Sequence, residues 1–91
     1  MFALNNNVFN RNMDVVDYDL TDNHHVVLDI YNDNPVIAFK HNSKIVRGVI
    51  SNADLSGVIT VVTDDCDIIT VKLDMVQAFG AYKLCHRHIS I

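Results

Sequence analysis

The run VVDYDLTD, Val15 to Asp22, sets Asp17 and Asp19 two residues apart behind a pair of valines. In Asp-x-Asp phosphoryl chemistry one carboxylate attacks phosphorus, the other moves the proton, and Mg²⁺ bridges them. Three other constellations carry chemistry of their own. His86 and His88 stand at i, i+2, so on a strand both imidazoles share one face and reach one metal, with His24, His25 or His41 as a third ligand. Asp64, Asp65 and Asp67 put three carboxylates within four residues, an oxygen-rich set suited to Ca²⁺. Lys40, Lys44 and Arg47, in KHNSKIVR beside Phe39, combine cations with a ring as single-strand nucleic-acid binders do.

What positions these residues follows from composition. Ninety-one residues fill one small domain, 1–91, which buries roughly 60–65% of its unfolded surface. All 11 acidic residues are Asp, Val and Ile together supply 22 residues, and Leu and Ala supply only 6 and 5. Good helix formers are scarce and β-branched residues abundant, while 10 Asn mark turns. This is a β composition, and it predicts an all-β fold with one short helix: a small SH3-like or Sm-like barrel, or a compact antiparallel β-sandwich.

The period of two supports that expectation. Val16, Tyr18 and Leu20 form one face of a first strand, and Val26, Leu28 and Ile30 one face of a second. YNDNP turns the chain into PVIAFKH, and NADLS, closed by Gly57, separates SKIVRGVIS from GVITVVT. TDDCD leads into DIITVKL, where Ile69, Val71 and Leu73 share a face. These nine apolar residues are the expected core. Asp74 is a fitting N-cap for a helix of about two turns over MVQAFGAY, cut short by Gly80. LCHRHISI reads as a last strand, and Gly48 as a bulge or bend.

Two resemblances rest on these stretches. VVDYDLTD is similar to the nucleophile loop of haloacid-dehalogenase-type phosphatases. That family implies a parallel sheet with several crossover helices, whereas this chain offers one short helix and turn-linked strands. Asp17 and Asp19 therefore read as the solvated face of a strand. GVISNADLSGVITVV resembles the first half of the Sm motif, with Gly48, Ile50 and Asp54 at matching spacing; Val58 stands where that family has Asn. This likeness implies a small barrel.

The other chemistries thin out on inspection. The histidine pair has no Cys-x-x-Cys or His-Glu-x-x-His companion, and the aspartate cluster lacks the Gly and Glu of a Ca²⁺ loop. Cys66 has no base beside it, so no thiol nucleophile is expected. No metal or cofactor is expected. A net charge of −4 disfavours broad nucleic-acid binding. The start MFALNNNVF lacks the basic region of a secretory signal, no apolar run reaches the ~20 residues of a membrane span, and two unframed cysteines suit a reduced, cytoplasmic setting.

Charge instead runs in blocks: six Asp and no cation from Asn12 to Phe39, then Lys40, Lys44 and Arg47 with no acid up to Ala53. A non-enzymatic protein-interaction domain follows, docking on a protein partner or on its own copies. His86, Arg87 and His88 of the last strand, the basic set Lys40, Lys44 and Arg47, and the acidic set Asp14, Asp17 and Asp19 are the expected contact residues. The Asn-, Ile- and Asp-rich composition is typical of AT-rich genomes and suits a small phage accessory protein, a virion or assembly component or an inhibitor of a host factor. A nucleic-acid-binding small β-barrel is the alternative, and a metal-dependent enzyme ranks behind both.

Overall fold

A computed structural model describes residues 15–21 and 25–86. Six strands form one sheet: β1 (Val15–Leu20), β2 (Val26–Tyr31), β3 (Asn34–His41), β4 (Lys44–Ala53), β5 (Val58–Thr63) and β6 (Ile68–Leu73). A helix, α1 (Met75–Cys85), follows. The strand order is β1-β6-β5-β4-β3-β2. From β2 to β6 each strand pairs antiparallel with the next, whereas β1 pairs parallel with β6. The β character is as the composition predicts, but the sheet is not a closed barrel and the strands do not divide into a two-sheet sandwich.

The turns follow local chemistry. Asn32–Asp33 and Asn42–Ser43 all take positive φ, giving two-residue connections of the type I′ class that matches strand twist. KHNSKIVR is therefore not a basic loop but a tight hairpin, with His41 opposite Lys44. In the β4–β5 connection the Asp54 carboxylate accepts hydrogen bonds from the Ser56 hydroxyl and from the Ser56 and Val58 amides. The Ser56 hydroxyl is the main cause that holds the Asp54 carboxyl below its ordinary range. At TDDCD, Thr63 closes the turn by accepting from the Cys66 amide on its carbonyl and from the Asp67 amide on its hydroxyl.

The sheet curls strongly. Leu20 and Val26 are six residue steps apart, which spans at most about 20–22 Å of extended chain. Yet β1 and β2 lie at opposite edges, five strand spacings or about 24 Å apart in a flat sheet. Only a curled sheet satisfies both. The bending is concentrated in β4, where Gly48 sits against β5 so closely that a Cβ would lie 2.3 Å from the Val62 carbonyl oxygen. Three residues on, the β4–β5 register shifts between Ile50 and Asn52, a bulge that adds local twist.

The concave face holds the core. Leu20, Ile37, Phe39, Ile50, Ile59, Val61, Ile69, Val71 and Leu73 are buried there, with Ala53 and the helical Ala78 and Ala81. Period-two alternation predicts the inward face of β1, β2 and β6 correctly. Val26, Leu28 and Ile30, however, lie on an edge strand and are only half-buried, and Val16 is 45% exposed because the helix does not reach its end of β1.

The Asp74 side chain caps α1 by accepting from the Gln77 amide at 2.9 Å. The helix runs 11 residues rather than two turns, because Gly80 is a contact point and not a stop: a Cβ there would sit 3.3 Å from Leu28 of β2. Leu84 and Cys85, expected in a last strand, form its final turn instead. The two glycines predict opposite outcomes in thermal unfolding. Gly48→Ala should destabilise by about 1–3 kcal/mol, since backbone rather than a side chain must move. Gly80→Ala should be neutral or stabilising by up to about 1 kcal/mol, because helix propensity improves and Leu28 can yield.

Candidate functional site

The helix covers only one end of the concave face, packing on β2 to β6. At the other end the β3–β4 and β5–β6 turns and the first residues of β1 surround a cleft of about 580 Å³. Its floor is apolar and aromatic: Val16, Tyr18, Val46 and Ile69. The Tyr18 ring stands edge-on to Phe39 at 5.3 Å and to His41 at 4.6 Å, both on β3, four strands away in sheet order. Edge-to-face geometry of this kind contributes about 0.5–1.5 kcal/mol per pair beyond buried area. His41 and Lys44 supply one wall, and Asp64, Asp65 and Asp67 the other. The cleft is thus a bipolar opening over a hydrophobic floor, and β1 forms its free margin.

The edge itself matters. Among the described residues β1 pairs with β6 alone, so its outer row of amides and carbonyls has no strand beside it. Its side chains alternate: Val16 and Tyr18 toward the cleft, Asp17 and Asp19 exposed on the opposite face. Asp19 accepts from the Thr21 amide at 3.1 Å and hydroxyl at 2.7 Å, and lies opposite Lys72 in register. These are the interactions of a strand end. The parallel β1–β6 pair is reached through an antiparallel run of four strands and not through a crossover helix, and Asp17 and Asp19 lie on an edge strand of the sheet.

The expected basic set is divided. Lys44 lies on the cleft wall, while Lys40 lies on the outer face, opposite Ile45. Arg47 also lines the cleft; its guanidinium stands 5.8 Å from the centre of the Tyr31 ring and borders Asp64 in a second hollow of about 320 Å³. Lys40 is thus set apart from the cleft that Lys44 and Arg47 line. His86 ends the helix: its amide donates to the Tyr82 carbonyl, and its ring stacks on Tyr82 at 4.1 Å. Arg87, His88, Asp14 and His24 lie outside the described residues, so the expected histidine pair and the acidic start of β1 do too.

Among the described residues no group of three or more His, Cys, Asp or Glu is arranged to hold a metal ion. Cys66 and Cys85 are free thiols, one exposed and one half-buried. No described helix is long and apolar enough to cross a membrane. The outer face of the sheet carries exposed aliphatic side chains, among them Val27, Val49, Val62 and Ile45, the last 73% exposed. The helix presents Met75, Val76 and Phe79 outward, so it is apolar on both sides.

The cleft joins residues 16 to 69, too far apart in sequence for any motif to signal it; the only sequence trace is that Tyr18 is the aromatic member of the first strand's apolar face. Compared with known proteins, the chain matches no family model, no curated protein and no solved structure.

Asp17→Asn should leave the melting temperature within about 2 °C, because that side chain is exposed. Asp19→Ala should cost about 0.5–1.5 kcal/mol through its bonds to Thr21. Mg²⁺-dependent hydrolysis of a generic phosphoester by the wild type, lost in Asp17→Asn, would restore the phosphatase reading.

Proposed function

We propose that this chain is a non-enzymatic protein-interaction module, engaged by its partner on the side where the free edge of β1 borders the cleft. The observation that carries the reading is the outer side of β1, which among the described residues has no strand beside it, next to a hydrophobic floor. An unpaired strand edge is a template for a further strand, and apolar floor residues give the arriving chain something to bury. The bipolar walls fit recognition better than turnover, since oppositely charged margins orient a partner and set the rate of encounter. The composition agrees with a small accessory protein of a phage or similar element, acting in assembly or on a host factor. Nucleic-acid binding is the weaker reading, because Lys40 lies apart from Lys44 and Arg47 and acidic residues border the cleft.

The test is a partner complex from the native source, measured with substitutions on either side of the edge. Val16→Lys combined with Asp17→Lys changes two exposed side chains and should weaken partner binding at least tenfold, about 1.4 kcal/mol, with the fold intact by circular dichroism. Lys40→Glu on the outer face should leave binding unchanged. Full binding by the Val16/Asp17 variant, or a wild type that is monomeric and partnerless at micromolar concentration, would contradict the proposal.

A further inference from the structure

We infer that the partner supplies an extended segment that adds to the outer edge of β1, with apolar side chains alternating with Lys or Arg. This rests on the interaction reading above and specifies its chemistry. Strand addition draws affinity from main-chain hydrogen bonds and specificity from pockets for alternate side chains. Both parts are present. Among the described residues the outer side of β1 has no strand beside it. Successive side chains of the added segment must then point to opposite faces. Those on the cleft face meet Val16 and Tyr18 over a volume of about 580 Å³, room for two or three aliphatic or aromatic side chains. Those on the other face lie beside the exposed Asp17, where cross-strand neighbours of opposite charge are favoured and like charges disfavoured.

The charge of the chain points the same way. Its net charge is −4, with the excess of Asp around β1 and in the β5–β6 turn. A cationic segment is therefore steered toward this margin, and an acidic one repelled. The two faces of β1 divide the labour: the apolar floor of Val16, Tyr18, Val46 and Ile69 takes apolar residues on the cleft face, and the exposed Asp17 takes Lys or Arg on the other. The opposite edge, β2, is the poorer template, because the helix packs against that strand and the hollow beside His25 and Val27 is only about 300 Å³.

The experiment uses the full chain, ¹⁵N-labelled, and synthetic ten-residue peptides in which Val or Leu alternates with Lys. Matched peptides carry Glu in place of Lys. Two further versions are N-methylated at all even or all odd positions. The Lys peptide should shift amide resonances of β1 and the cleft while leaving β2 unmoved, and the Glu peptide should bind at least tenfold more weakly. Only one of the two N-methylated sets should abolish binding, since a strand on an edge turns alternate amides toward it. Binding should weaken with added salt, as screening at physiological ionic strength acts beyond roughly 8 Å. Asp17→Lys should reverse the preference between Lys and Glu peptides. Shifts on β2 or the outer face instead of β1, equal loss from both N-methylated sets, or an unaltered preference in Asp17→Lys would overturn the inference. If no peptide binds but capture of the native partner still fails in the Val16/Asp17 variant, this segment chemistry is wrong while the interaction reading stands.

Discussion

A short tether between opposite edges of one sheet governs this fold. The chain has five residues between Leu20 and Val26, yet the strands they join are the first and last of six in the sheet. Flat, those edges would stand about 24 Å apart, beyond what six extended residue steps span. The sheet has to roll until its edges approach each other. Contact of the Tyr18 ring with Phe39 and His41 is the visible result, because in a flat sheet their strands would be about 19 Å apart with side chains standing perpendicular to the plane.

Most other features serve or follow from that curl. Gly48 removes the side chain where β4 bends into β5, and the bulge after Ile50 adds twist in the same strand. A rolled sheet has a concave side deep enough to hold a purely apolar core in a small chain, closed at one end by α1 with Ala78 and Ala81 innermost. Small residues at those positions let the helix sit close against the sheet. The helix cannot also cover the far end, so a cleft remains there. Among the described residues β1 joins the sheet through β6 alone, so the roll ends with a strand edge that none of them pairs at the margin of that cleft.

Much of the local structure was legible in the residues. Period-two alternation identifies the inward side of β2 and β6, and Asp74 marks the helix start. Long-range arrangement was not legible, for identifiable reasons. The parallel pairing of β1 with β6 joins segments some fifty residues apart and leaves no local pattern. Asn42–Ser43 makes a tight I′ turn without the Asn-Gly pair that usually announces one, so a hairpin resembled a basic loop. The helix is apolar on its outer side at Met75, Val76 and Phe79, which blurs the 3.6-residue period, and its last turn at Leu84 and Cys85 therefore passed for a strand. The cleft was invisible for the same reason as the parallel pair: Tyr18, His41 and Asp64 meet only after the sheet has rolled.

The fold turns on the roll that brings β1 against β3 and, among the described residues, leaves no strand on its outer edge. Its most direct measurement is a nuclear Overhauser spectrum of the protein with the aromatic side chains assigned. Cross-peaks from the Tyr18 ring protons to the rings of both Phe39 and His41 are the predicted result, since the ring centroids are 5.3 and 4.6 Å apart. A Tyr18 ring that shows cross-peaks only to β6 and its own strand, with none to β3, would contradict the account.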